Sequence, residues 1–276
     1  MPEGPEIRRA ADKLESALKG KRIVQAQFGL ERLKSFEPLI TEAHVTRIET
    51  RGKGLLTFFD NNLVMYSHNQ LYGKWVVCSA DAIPVSKRQV RVALYTDSDV
   101  AILYSASDIE IVDKDQLDAI PFLNRVGPDI LDKKLTVKKV EARLRDSQFS
   151  GRWLAGLLLD QAFLAGIGNY LRSEILFEAG LTPHTSPKKL SDVQIKKLAK
   201  ASLSVSRRAY KHRGSCLTPS VKARVKQQAN SASSSGDKRY MVFDRDGLSC
   251  RLCDDIIVKE TLAGRRLYLC PSHQLS

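Results

Sequence analysis

"LLTFFDNNLVMYSHNQLYGKWVVCS", residues 55–79, is the stretch on which the fold turns. Three short runs, 55–59, 63–68 and 74–79, are rich in Leu, Val, Phe, Tyr and Trp. Between them stand DNN and NQLYG, which carry turn-forming residues. Runs of five or six such residues between turn formers are the pattern of β-strands. The same spacing continues on both sides. "RIVQAQF" (22–28) and "HVTRIET" (44–50) come before, and "VRVALYT" (90–96), "VAILYSA" (100–106) and "IEIV" (109–112) come after. Eight short strands at this spacing predict a sandwich or a barrel.

Helical patterns lie on either side. Residues 5–19 predict an amphipathic helix with Ile7, Ala11, Leu14 and Leu18 on one face and Gly20 as its stop. After "NRVGPDILD" (124–132), four helices are predicted from "TVKKVEARLRD" (136–146), "LAGLLLDQAFLAGIG" (154–168), "NYLRSEILFEAGL" (169–181) and "SDVQIKKLAKASLSVSRRAY" (191–210). Ser191 and Gln194 form a capping box for the last. Residues 213–239, including "SASSSG", read as a polar loop. The expected fold class is α+β multidomain. A strand-rich domain covers 1–124, a linker 125–132, a helical domain 133–239 and a C-terminal module 240–276.

The charge narrows the partners. Forty-four Lys and Arg against 31 Asp and Glu leave a net +13, which points to a polyanion such as nucleic acid. The alternative is a merely soluble basic surface. There is no run of about 18 apolar residues, so no membrane partner is expected. The N-terminus lacks an apolar signal region, which argues against secretion. Five cysteines, an odd number, argue for a reducing compartment and metal binding over a disulfide framework. A cytoplasmic location is expected.

Four stretches carry candidate chemistry. The tail reads "CRLC", sixteen residues, then "CPSH", giving Cys250, Cys253, Cys270 and His273 as ligands. This is zinc-ribbon spacing, and four protein ligands make the ion structural: one Zn2+ per chain. The intervening residues form a hairpin turning near Gly264. That places Arg265 and Arg266 at or just past its tip, as phosphate contacts or as a solvated turn. "FLAGIGNYLRSEIL" sets a turn with Gly168 before a helix capped by Asn169, either a phosphate site or an ordinary packing turn. "RGKG" puts Lys53 between glycines in a hairpin, either exposed or reaching a ligand. "SHNQLYG" offers Gln70, Leu71 and Tyr72 as a wedge between bases, against the plainer alternative that Leu71 and Tyr72 face the core. At the N-terminus, "MPEGPE", helix capping accounts for Pro5 and Glu6 but not for Pro2 and Glu3.

Together, "MPEGPEIRRA", "RGKG", "SHNQLYG", "LLLDQAFLAGIGNYLRSEIL" and the terminal ribbon resemble the family of formamidopyrimidine-DNA glycosylase and endonuclease VIII, over essentially the whole chain. "PEGPE" and "HNQLYG" lean towards the endonuclease VIII branch, which acts on oxidised pyrimidines. The resemblance implies an N-terminal β-sandwich flanked by helices, a helix-two-turn-helix domain and a zinc ribbon, with damaged double-stranded DNA bound in the cleft between. It implies a monomeric, nucleoid-associated bifunctional glycosylase and AP lyase of base excision repair. Removal of Met1 would free the Pro2 amine, which titrates near ~8 against ~10.4 for lysine. That amine would attack C1′ of the damaged nucleotide, with β,δ-elimination following. Glu3 would act as general acid and base, Lys53 would assist base release, and Asn169 and Arg265 would bind phosphate. Gln70, Leu71 and Tyr72 would fill the gap left by the flipped base. Glu6 is a second acid near the site.

Two features depart from the family pattern: His273 stands where cysteine is usual, and the polar segment 213–239 is long. The competing readings are the oxidised-purine activity of the sister branch and a non-catalytic zinc-ribbon DNA-binding protein.

Overall fold

A computed structural model describes residues 2–228 and 235–274 of the chain. All eight predicted strands are present: β1 (Gln25–Phe28), β2 (Val45–Arg51), β3 (Gly54–Phe59), β4 (Leu63–His68), β5 (Lys74–Ser79), β6 (Val90–Tyr95), β7 (Asp99–Tyr104) and β8 (Asp108–Asp113). They form two four-stranded antiparallel sheets, ordered β1-β6-β7-β5 and β2-β3-β4-β8. The first helix, α1 (Gly4–Leu18), presents Ile7, Ala11, Leu14 and Leu18, each at most 2% exposed. This face joins Ile48, Leu55 and Met65 of one sheet and Val92, Ala101 and Leu103 of the other in a single core. Strand alternation explains why β3 is buried at every residue. Leu55 faces that common core, while Leu56 and Phe58 face a second cluster with Leu117, Ile120 and Leu123. A short α2 (Glu37–Ile40) follows β1, and α3 (Pro121–Arg125) carries Leu123 into the second cluster.

Two compact units are distinguished, Met1–Pro2 with Glu6–Val126, and Glu3–Pro5 with Gly127–Ser276. In the second, α4 (Val137–Arg145), α5 (Ser147–Ser150), α6 (Leu154–Leu157), α7 (Asn169–Ala179) and α8 (Asp192–Lys211) surround a core that includes Val140, Phe149, Leu157, Leu171, Ile175 and Leu198. The capping box at α8 is present, with Ser191 and Gln194 bonded reciprocally.

Two expectations need correction. The helix predicted over 154–168 ends at Leu157, because side chains compete for its backbone. Asp160 Oδ1 accepts from Ala162 N at 2.8 Å, and Gln161 Oε1 accepts from Gly166 N at 3.0 Å. The Gln161 amide then donates to the carbonyls of Leu159 and Ile167. The polar segment 213–239 is not simply a loop, since it contains α9 (Pro219–Gln228) and α10 (Ser235–Arg239). Val221 and Val225 of α9 bury against Leu217. Residues 231–234 of "SASSSG" lie outside the described residues.

The C-terminal hairpin pairs β9 (Val258–Leu262) with β10 (Arg265–Leu269). Its two-residue turn, Ala263 and Gly264, has φ of 53° and 70°, the left-handed pair that a tight hairpin requires. Among the described residues, no helix is long and apolar enough to cross a membrane.

Candidate active site

In the N-terminal unit, Pro2 lies in a groove of about 410 Å3. Leu71, Tyr72 and Trp75 supply its apolar lining, and Arg9, Lys13, Lys74 and Arg88 face Glu6 as its only acid. Four cations against one carboxylate make it a place for a polyanion. Glu6 is paired with Arg9 at 3.0 Å.

Gln70, Leu71 and Tyr72 occupy the turn between β4 and β5. The alternative that Leu71 and Tyr72 face the core is excluded, because they are 55% and 70% exposed. The turn is held by one backbone bond and by neighbouring side chains. Gly73 N donates to Asn69 O at 2.7 Å, and Gln70 N donates to His68 Nδ1 at 3.0 Å. Ser107 Oγ donates to Gln70 Oε1. His68 must present an unprotonated Nδ1 to accept that bond. Burial holds its imidazole below the usual range, opposed by Asp108 and reinforced by Lys53. Lys53 sits in the two-residue turn between β2 and β3, as the sequence predicts. It is only 9% exposed, which removes the reading of a solvated hairpin lysine.

In the C-terminal unit, Glu3 is 2% exposed and its carboxylate closes the start of α7. Oε2 accepts from Gly168 N at 2.8 Å and Leu171 N at 3.2 Å, and Oε1 accepts from Tyr170 N at 2.8 Å. Helix starts leave such N–H groups unpaired, and a carboxylate suits the positive end of the dipole. This corrects two expectations. Asn169 is the first residue of α7 and Gly168 is its N-cap. The backbone donors around Gly168 serve Glu3, not a phosphate. Gly168 supplies room instead, since a Cβ there would collide with the Glu3 carboxyl. Asn169 Oδ1 accepts from Arg172 Nη2 at 2.7 Å, which turns its amide hydrogens to other partners.

Arg172, which sequence reasoning missed, organises this half. It is fully buried and donates to the carbonyls of Ala155, Leu262, Arg265 and Arg266 as well as to Asn169. Burial pulls its guanidinium down to about 10, with Arg265 adding to the shift and Glu3 opposing it. Arg172 therefore fixes the hairpin from which the exposed Arg265 and Arg266 project. Glu174 was missed as well. Its fully buried carboxylate accepts from the N–H groups of Met241, Val242 and Phe243 at 2.8–2.9 Å, and burial pushes it up. The available signal was "YLRSEIL", a charged pair inside a helix with no polar face to put it on.

The Sγ atoms of Cys250, Cys253 and Cys270 all lie within 4.8 Å of one another. Cys253 and Cys270 are 3.3 Å apart. Thiolates on a tetrahedral zinc at about 2.3 Å would be about 3.8 Å apart, so the three fit such an ion. The Asp255 N–H draws Cys253 below the usual thiol range, while burial pushes Cys270 up to about 12; a bound cation would ionise both. His273 is not part of this cluster as placed. Its Nε2 lies 3.1 Å from Phe177 O and its ring packs on Phe177 at 4.5 Å.

Comparison with known proteins gives the chain's relatives. Residues 1–110 match the family model of the formamidopyrimidine-DNA glycosylase N-terminal domain, and residues 126–220 match that of the formamidopyrimidine-DNA glycosylase H2TH domain. The chain is 50% identical over 275 residues to Endonuclease 8 of Salmonella schwarzengrund, covering 99% of this chain and all of that one. A relative of the same name from Salmonella paratyphi A is 49% identical with the same coverage. Among solved structures, Lactococcus lactis Fpg with DNA containing an abasic site superposes with a TM-score of 0.80 at 22% identity, over 99% of this chain and all of that one. A mutant of the same protein, with DNA containing Fapy-dG, gives 0.81 at 23% over the whole of both chains.

Proposed function

The chain belongs to the formamidopyrimidine-DNA glycosylase and endonuclease VIII family, and from that footing we propose that Pro2 is its nucleophile and Glu3 its proton-transfer group. The activity is that of a DNA glycosylase with AP lyase action in base excision repair, and the endonuclease VIII relatives fit oxidised pyrimidines as its substrates. The observation that carries the assignment of residues is the grip on Glu3. Three backbone N–H groups hold both of its oxygens, and Pro2 is one peptide away, about 3.8 Å from Cα to Cα. The donors that orient the acid thereby also anchor the residue that carries the amine.

The lone pair of the Pro2 amine adds to C1′, and the glycosidic electrons leave with the base, which takes up a proton. The sugar ring opens as the Pro2 nitrogen gives its hydrogen to the Glu3 carboxylate and becomes an iminium, and Glu3 passes that proton to O4′. The iminium acidifies the C2′ proton. Its removal expels the 3′ phosphate, and a second elimination expels the 5′ phosphate. Lys53 assists base release. Arg265, Arg266 and the Asn169 amide take phosphates, while Gln70, Leu71 and Tyr72 fill the vacated stack. Damaged double-stranded DNA is the partner.

Cys250, Cys253 and Cys270 would hold one Zn2+, with His273 as the fourth ligand through Nδ1. A histidine that donates its Nε2 proton to a carbonyl leaves Nδ1 able to ligate, the usual arrangement of a bound imidazole. The ion would act as a crosslink for the hairpin and take no part in the reaction.

Cleavage of matched duplexes that differ only in thymine glycol or 8-oxoguanine tests the substrate class. Faster nicking of the thymine glycol strand is expected. Preference for 8-oxoguanine would move the chain to the purine branch, and cleavage of neither would leave it a binding protein.

A further inference from the structure

The loop between β5 and β6 lends Arg88 to the groove around Pro2 and has no other part in the proposed reaction. Every residue from Asp81 to Val90 is exposed. Ile83 and Val85, on either side of Pro84, are 41% and 104% exposed, an apolar tip with no cover among the described residues. Behind the tip come Lys87, Arg88 and Arg91, against Asp81 as the only acid of the segment. The loop is nevertheless held. The β6–β7 register shifts between Val90 and Val92, and bulges of this kind re-aim a strand end. Beside that shift Gly29 packs so closely that a Cβ would collide with the Val90 carbonyl oxygen. Most directly, Arg88 Nη1 donates to Tyr72 O at 2.8 Å, and Arg88 lines the same groove as Pro2 and Leu71.

We propose that this loop is a second DNA-contacting element, coupled to the 70–72 turn by Arg88 and reaching a backbone phosphate through Lys87. The proposal rests on the reading of Gln70, Leu71 and Tyr72 as a wedge. If Tyr72 enters the base stack, a loop bonded to its carbonyl lies against the flanking nucleotides. A basic loop with an apolar tip suits that surface: cations for phosphate and Val85 for the groove wall. Arg88 is a positioning residue that fixes where Tyr72 stands.

The test uses the full chain with R88A, R88K and K87A. A duplex with 2-aminopurine beside the lesion reports opening of the stack. Binding to a duplex with an abasic analogue is titrated against salt. R88A is expected to lower the ratio of duplex excision to cleavage of single-stranded abasic DNA about tenfold, the effect of losing one charge-assisted bond, and to blunt the fluorescence rise. R88K, which keeps a donor, recovers part of both. K87A is expected to weaken binding to all duplexes alike and reduce the salt slope by about 1. An unchanged ratio and fluorescence in R88A, or an unchanged slope in K87A, overturns the proposal. L71A and Y72A run alongside: if they too match wild type, the wedge reading itself has failed, and if they alone are defective, only the loop has.

Discussion

Leu71 and Tyr72 are 55% and 70% exposed, whereas Glu3, Arg172 and Glu174 are at most 2% exposed. The two units use opposite means to hold working side chains. In the N-terminal unit, backbone bonds and a few side chains no more than 37 residues away shape a turn, and the turn's own Leu71 and Tyr72 are left facing outward. In the C-terminal unit, the side chains are themselves the ties, and their partners are backbone groups far away in sequence. Glu3 reaches across 165 to 168 residues to the start of α7, and Arg172 across more than 90 to the hairpin. Truncation in the first unit should therefore cost function with little stability, and truncation at the ties of the second should cost stability or position.

The largest effect is expected at Glu3. Glu3→Gln removes the proton-transfer group and turns an amide NH2 onto backbone donors that the carboxylate oxygens accept, so single-turnover excision should fall about 10²–10⁴-fold, with a loss of unfolding free energy of about 1–3 kcal/mol beside it. Normal excision by the variant would end the catalytic role. Arg172→Met removes the bonds to four carbonyls that tie α7 to Ala155 and the hairpin, and loss of about 3 kcal/mol is expected, read by denaturant unfolding. Stability unchanged to within 0.5 kcal/mol, roughly the range of surface substitutions, would erase the contrast between the units. Leu71→Ala and Tyr72→Ala should show the reverse: unfolding within about 0.5 kcal/mol of wild type and excision about tenfold slower.

The smallest effect sharpens the comparison by pH. His68 is held below its ordinary value, so its neutral form is the folded one, and its Nδ1 holds Gln70 N. Below about 6.5 the unfolded chain takes up a proton that the folded chain does not. The stability His68 contributes is present above that pH and is lost as pH falls through the folded value. His68→Asn should flatten this dependence in unfolding curves recorded between pH 5 and 7, taken as roughly the span of histidine titration. An unchanged slope would mean that His68 is not the group responsible.

How much of this was legible follows the same division. The eight strands were readable because apolar runs and turn residues alternate locally, and the capping box at Ser191 is a four-residue signal. The 70–72 turn was visible as a motif, but its exposure was not. The long ties were illegible, since nothing near Glu3 marks Gly168 as its partner. The truncated α6 was misread because an apolar period outweighs Asp160 and Gln161 on paper, while their side chains take the helix's hydrogen bonds in space. Likewise the cysteine spacing pointed to a cluster, and three thiols form it, but spacing alone could not place the ring of His273.

The central claim is that the chain's N-terminal amine is the nucleophile. Borohydride reduction of the protein on DNA with an abasic site, followed by mass mapping of the trapped complex, tests it most directly. The sugar adduct is expected on a peptide that begins at Pro2, and protein that retains Met1 or carries a tag before Pro2 should bind DNA without being trapped. An adduct on Lys53, with full activity in the blocked protein, would contradict the account.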